Sequence, residues 1–343
     1  MKLHNPSNAL RQAGKGAALV VLALCALLLP RSLNNYYLSI LVEVVLYASL
    51  ASAWNILGGF AGQFSLGHAL YIGIGAYTST ILFNNWGISP WIGMIAGGGI
   101  AVALGMLIGY PSFKLVGTFF TLASLALSTL AMLIFQNTTR VAGIKIGGAS
   151  GLQVNAVRGN SFWLIQFTNK IYYYYTFLAF LLLILLLCRY IKRSKIGYQL
   201  AAIANDQQAA EALGINSRAL KLKAMAISAF ISAVGGTFYA QYVMSCSPTK
   251  LFGESLSDEL VIMSLIGGKG TILGPTLGAI IIQPLSRLTS GIIGGTVPGL
   301  HLVVYGALLI ICIRFFPDGL YPLLIKLAKW IKGKLAGHKA GKG

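Results

Sequence analysis

Thr176-Phe177-Leu178-Ala179-Phe180-Leu181-Leu182-Leu183-Ile184-Leu185-Leu186-Leu187-Cys188 runs without a charge, a proline or a glycine. It is the centre of an apolar segment at 171–191, closed by Arg189, Lys192 and Arg193. Such a run fits a helix that crosses the hydrocarbon of a bilayer, for which about 20 predominantly apolar residues suffice. Similar segments lie near 14–33, 36–57, 66–84, 88–110, 115–136, 223–245, 256–267, 272–290 and 300–316. The segment at 256–267 is too short to cross alone. It is expected to join 272–290 as a pair of broken or re-entrant helices. The segment at 14–33 follows Lys2, Arg11 and Lys15 as a signal peptide would. Pro30-Arg31 is not a small-residue cleavage site, so a retained helix is expected. The fold class read from these segments is an all-α polytopic integral membrane protein, with about eight to ten transmembrane helices and glycine-rich broken or re-entrant segments. A barrel would show short alternating strands instead.

Composition agrees. Of 343 residues only 10% are charged and 56% are apolar, with a mean hydropathy of +0.76. Soluble domains carry about 25% charge, so an ordinary cytosolic enzyme or a nucleic-acid-binding domain is not indicated, despite a net charge of +19. Disorder is excluded by the apolar content. No nucleic-acid partner is expected. The four cysteines and four histidines are scattered without ligand spacing, so no metal, disulfide framework or cofactor is expected.

The charge is unevenly placed. With the N-terminus inside and ten alternating spans, nineteen of the 26 Lys and Arg fall on the inner side and seven on the outer. That bias predicts both termini in the cytoplasm. Residues 1–316 read as the transmembrane domain, with an outer loop at 137–170 and a basic cytoplasmic loop at 192–222. Residues 317–343 read as a basic amphipathic cytoplasmic tail. It places Leu320, Leu323, Leu324, Leu327, Ile331 and Leu335 at helical spacing among lysines. Such a helix suits anionic membrane lipids; a solvated basic tail is the alternative.

Three motifs stand out. The first spans Trp54 to Tyr77 and includes Asn55, Gly58, Gly59, Gly62, Gln63, Ser65, Gly67 and His68. Clustered glycines between two spans favour a tight turn or unwound backbone, whose free N–H groups can hold a carboxylate. Helix packing with glycine in a loop is the plain alternative. The second is Gly267-Gly268-Lys269-Gly270-Thr271-Ile272-Leu273-Gly274-Pro275. It is not a phosphate loop, because Gly270 rather than Ser or Thr follows Lys269. It reads as a glycine-rich break that opens a helix at Thr271, with Pro275 in an early turn. The third is the loop Asn205 to Asn216, a short alanine-rich helix with Asp206 at its start and Gly214 at its stop. An exposed stub of this kind is a natural docking knob for a cytosolic partner, or a plain surface helix.

Among the acids only Glu43 lies clearly inside a span. It is a candidate for ion coupling, or a structural acid bonded to Tyr47 one turn on. Asp206, Glu211, Glu254, Asp258, Glu259 and Asp318 read as loop or span-end residues. No paired carboxylate, HExxH or GxSxG supports an enzyme.

Together the motifs resemble those of the permease subunits of branched-chain amino-acid ABC importers, the LivM type in particular. Asn55, Gly59, Gly62, Ser65, Gly67, His68, Gly73, Gly75, Ala76 and Tyr77 match one family pattern, and Gly267 to Ala279 match a second. The loop resembles the coupling signature E-A-A-x-x-x-G, with Gln208 in place of the glutamate and Ala209, Ala210 and Gly214 in register. The resemblance implies an ATP-driven importer in the bacterial inner membrane. Its partners would be a paralogous second permease, two cytosolic ATP-binding subunits and a periplasmic or lipid-anchored substrate-binding protein. The glycine clustering beside Asn55 and Ser65 suggests a path past Asn55, Gly58, Gly59, Gly62, Gln63, Ser65, His68, Gly270 and Thr271, and the resemblance implies an ATPase-coupling loop at Asp206, Ala209, Ala210, Glu211 and Gly214. Urea or amide carriage by the same kind of permease is an alternative, and an ion-coupled carrier a more distant one.

Overall fold

The computed structural model describes residues 28–113, 119–157 and 159–292, with a few positions between 306 and 326. The segments expected at 14–33 and 300–316 lie largely outside the described residues, as does the amphipathic tail.

Eleven helices are described. They are α1 (Asn35–Asn55), α2 (His68–Trp86), α3 (Pro90–Ser112), α4 (Phe119–Asn137), α5 (Lys170–Arg193), α6 (Lys195–Asn205), α7 (Gln207–Ala212), α8 (Ser217–Val243), α9 (Pro248–Leu251), α10 (Glu254–Gly267) and α11 (Gly274–Ile292). A π-helical turn, Ile56–Phe60, extends α1. Five helices are long and apolar enough to cross a membrane: α1 with its π-turn, α3, α4, α5 and α8. The caps explain several starts. Ser89, Asn169, Ser194, Asp206 and Asn216 each accept a backbone N–H of the first turn that follows, satisfying one of the four donors a helix leaves open.

The bundle is built around α2, which packs against α3 and α8 and is buried at every position from His68 to Tyr77. Close approach between α2 and α8 depends on glycine. A Cβ on Gly75 would collide with the Ala233 carbonyl, and one on Gly236 with that of Ile72. Without a hydrophobic drive between helices in lipid, such backbone contact supplies the attraction. Outer helices behave oppositely. Only 17% of the apolar window of α4 is buried, against 78% for α1. Exposed Leu182, Leu183 and Leu186 on α5 form a lipid-facing stripe.

The two ends of the bundle carry different elements. At one end lies the knob formed by α6 and α7. At the other lies the loop 138–169, with two small antiparallel ladders. Arg140–Val141 pairs with Ile144–Lys145, and Leu152–Gln153 pairs with Ser245–Cys246. The second ladder ties the long loop to the chain leaving α8. Tyr77 secures it by donating to the Cys246 carbonyl at 2.8 Å.

α10 has 14 residues and spans about 21 Å, too short to cross. It follows a dip of the chain in which Phe252 reaches Gly73 near the middle of α2. α11 then runs back antiparallel to α1, with Pro284 interrupting its hydrogen bonds.

Candidate functional site

The two glycine-rich motifs, more than 200 residues apart in sequence, meet at the knob end. Asn55 is the clasp. Its Nδ2 donates to the Thr271 carbonyl at 2.8 Å, and its Oδ1 accepts from Gly270 N–H at 2.8 Å. Both ends of the amide are therefore spent on one partner loop, and Asn55 is 1% exposed. Gly59 is the residue that lets the loop approach, because a Cβ there would overlap Asn55 Oδ1 and Gly270 N. The π-turn places Gly58 and Gly59 one residue out of α-helical register, a distortion often found at functional positions. Gly62 follows in the left-handed region at φ +67°, lying against Ala204 of α6.

Lys192 adds a second tie. Its Nζ donates to the Gly270 carbonyl at 2.6 Å and lies over the Phe60 ring at 5.7 Å. Lys192 stands in the last turn of α5, three residues before α6 begins. The second motif, the first motif and the knob are thus joined through Asn55, Lys192 and the Gly62–Ala204 contact. Nothing in the sequence marked this contact of Lys192, whose partner lies 78 residues away.

Behind the break runs a buried hydrogen-bond chain. Ser228 Oγ donates to the Ala53 carbonyl at 2.6 Å, so His68 Nε2 is the donor to Ser228 at 2.7 Å. His68 Nδ1 then accepts from Ser65 Oγ at 3.1 Å. Trp54 Nε1 donates to the Ser65 carbonyl at 2.7 Å. A neutral imidazole satisfies the whole chain, joining α1, α2 and α8. Ser65 and His68 are completely buried, whereas Gly59, Gln63, Gly270 and Thr271 are half-buried and Gly62 is exposed. The described part of the expected path therefore separates into a surface and its supports.

In the second motif the helix opens at Gly274, three residues after the expected Thr271. Thr271 instead turns the chain, donating to the Gly268 carbonyl at 2.6 Å and accepting from Gly274 N–H at 3.0 Å. This side-chain alternative to helical bonding delays the helix.

The knob follows its sequence closely. Asp206 Oδ1 accepts from Ala209 N–H at 3.0 Å and starts α7, and Gly214 ends it at φ +81°. The alanine-rich stretch forms only six helical residues, preceded by a separate helix, α6. Asp206, Ala209, Glu211 and Gly214 are exposed, Ala210 is buried, and Leu213 projects with 82% exposure. Lys221 Nζ braces the knob through Gln207 Oε1 at 2.6 Å, and Gln207 Nε2 donates to Glu211 at 2.8 Å.

Glu43 is not bonded to Tyr47 as one alternative had it. Arg287, counted among the outer-side charges, lies within α11 and forms a two-pronged ion pair with Glu43. Glu259, expected at a span end, lies within α10. No group of three or more His, Cys, Asp or Glu among the described residues is placed to hold a metal.

The sequence matches the family described as branched-chain amino acid transport system / permease component over residues 36–313. It is 25% identical to the high-affinity branched-chain amino acid transport system permease protein LivM of Escherichia coli (strain K12), covering 94% of this chain and 78% of that protein. It is 25% identical to LivH of Salmonella typhimurium, covering 80% and 90% respectively. It is also 26% identical to the fructose import permease protein FruF of Bifidobacterium longum, covering 82% and 77%. No solved structure matches. The family match takes in both glycine breaks and the knob, and the chain belongs to the branched-chain amino acid transport system permease family, as a LivM-type permease.

Proposed function

We propose that this chain is the membrane-spanning subunit of an ATP-driven importer that carries branched-chain or other hydrophobic amino acids across the bacterial inner membrane. The observation that carries the proposal is the mechanical continuity from an exposed knob to two glycine breaks, through Lys192, Asn55 and the Gly62–Ala204 contact. The knob lies on the cytoplasmic side and receives an ATP-binding subunit. A second ATP-binding subunit, a paralogous permease and a substrate-binding protein complete the machine. Closure of the ATP-binding subunits pushes on Asp206–Gly214. The push reaches Gly62 through α6 and Gly270 through Lys192, and shifts the break between two packings. Gly59, Gly62, Gln63, Gly270 and Thr271 form the inner surface of the path. Asn55, Gly58, Ser65 and His68 hold it from behind.

The matched relatives include permeases for branched-chain amino acids and one for fructose, so substrate class is tested directly. The complete transporter is reconstituted in proteoliposomes with radiolabelled leucine outside and ATP within. ATP-dependent, concentrative leucine uptake that unlabelled valine competes and fructose does not is the expected result. Uptake driven by a proton gradient without ATP would overturn the proposal.

A further inference from the structure

Three spans end together around an apolar cleft on the knob side of the bundle. Its walls are Met106 on α3, Leu187 and Tyr190 on α5 and Ile227 on α8, and α6 closes it with Ile196 and Leu200. The cleft has a volume of about 360 Å³, within the range of sites for small ligands. α6 reaches it because α5 and α6 meet at a sharp corner, where Gly197 lies against the Ile191 carbonyl and leaves no room for a Cβ. Met106 and Leu187 each stand six residues before the end of their helices, and Lys223 stands six residues after the start of α8. At about 1.5 Å per residue the cleft lies roughly 9 Å inside the ends of these spans. That depth is the boundary between headgroups and hydrocarbon.

The cleft opens outward rather than into the bundle. Met106, Tyr190 and Ile196 are exposed at its mouth. Leu187 and Tyr190 continue the lipid-facing stripe of Leu183 and Leu186 by one helical turn. Only Tyr190, Ser194 and Lys223 bring polar side-chain atoms to the lining. Ser194 is engaged in capping, as donor to the Ile191 carbonyl and acceptor from Gly197 N–H. The neighbouring cations of α8 are engaged too. Arg218 donates to the Tyr110 carbonyl at 2.7 Å, and Lys221 to Gln207. Lys223 is exposed and has no hydrogen-bond or ion-pair partner among the described residues, and the Tyr190 hydroxyl has none either. A lysine stem lies along an apolar wall and carries its ammonium to the headgroup layer. Arg189, Arg193 and Lys195 are exposed at the same corner of α5 and α6, so the mouth attracts anionic lipid.

We propose that the cleft is a binding site for an anionic phospholipid of the knob-side leaflet. One acyl chain fills the apolar space, and the phosphate takes the Lys223 ammonium and the Tyr190 hydroxyl. A zwitterionic phospholipid binds more weakly, because its own cation competes for the phosphate. The bound lipid packs against α6, the helix that also carries Ala204 to Gly62. Such a site needs only that the chain spans a bilayer, whatever it transports.

The test uses the full chain, alone and with the subunits that co-purify with it. It is placed in phosphatidylcholine vesicles containing a phosphatidylglycerol whose acyl chain bears a diazirine. After irradiation, lipid-modified peptides are located by mass spectrometry. Labelling within 187–200 and 223–227 is expected to fall when unlabelled phosphatidylglycerol is added and to hold when phosphatidylcholine is added. Labelling of the lipid-facing α4 is expected to respond equally to both. Lys223→Gln is expected to reduce the cleft labelling about tenfold, the effect of losing one hydrogen bond to a charge, and Lys223→Arg to retain it. Ala226→Phe places a ring in the cleft and is expected to abolish the labelling; where that variant fails to fold, the two exposed Lys223 variants decide. Equal competition by both lipids at the cleft, or labelling unmoved by Lys223→Gln, would overturn the site. Labelling present in the isolated chain and lost in the assembly would also overturn it, and would give the cleft to a contact with a second permease.

Discussion

Asn55 is the side chain on which the junction of the two glycine motifs depends. Its amide supplies one donor and one acceptor, and the Gly267–Gly274 loop presents their complements at Thr271 and Gly270. Leucine in its place would leave a half-buried N–H and carbonyl without their partner, a loss of up to about 1–3 kcal/mol each. Asn55→Leu is expected to lower the Tm of the detergent-solubilised chain and to abolish most uptake; an unchanged Tm would show that the clasp is dispensable. Lys192→Met removes a tie without disturbing a buried amide. It is expected to leave Tm nearly unchanged while ATP hydrolysis continues with reduced uptake, which measuring both rates on one preparation checks. Residues such as Asn55 were legible because they sit in a spaced motif. The partner of Arg287 was not, because nothing in the segment 272–290 points to a residue so far away in sequence. Only the antiparallel packing of α11 on α1 shows that Arg287 stands level with Glu43, 244 residues earlier.

At the scale of the element, periodicity and capping explain what was readable. The apolar runs near 36–57, 66–84, 88–110, 115–136, 171–191 and 223–245 each became a helix, with boundaries shifted by a few residues where caps intervene. Asn216 starts α8 early, bringing Arg218, Lys221 and Lys223 into the helix. Thr271 starts α11 late. The π-turn has no signature in hydropathy, since it changes hydrogen-bond register without changing composition. The knob depends on two local devices, the Asp206 cap and the Gly214 turn. Asp206→Ala is expected to cost about 1 kcal/mol of local stability, seen as faster amide exchange at Ala209 and Ala210 with α8 unaffected. Gly214→Arg places a long side chain at φ +81°, in a region costing roughly 1–2 kcal/mol for such residues. It is expected to reduce assembly with the ATP-binding subunits or to uncouple hydrolysis from uptake; full coupled activity would remove the knob from the mechanism.

The whole molecule is a bundle graded from a protein-enclosed centre to a lipid-facing rim. The proposed topology has the knob in the cytoplasm and the 138–169 loop outside. In a chain whose own cysteines are replaced by alanine, Leu213→Cys is expected to react with an impermeant maleimide only in inside-out vesicles. Trp163→Cys, 68% exposed in the opposite loop, is expected to react only in right-side-out vesicles. The reverse pattern would invert the topology. The enclosure of α2 also sets a timetable. Gly75 is 162 residues ahead of Thr237, its hydrogen-bond partner on α8. At ordinary elongation speeds the ribosome needs roughly 8–30 s to make that stretch. Throughout the interval a glycine-notched, weakly greasy helix has no native neighbour on that flank. Native burial of α2 on that flank therefore waits until translation has delivered α8.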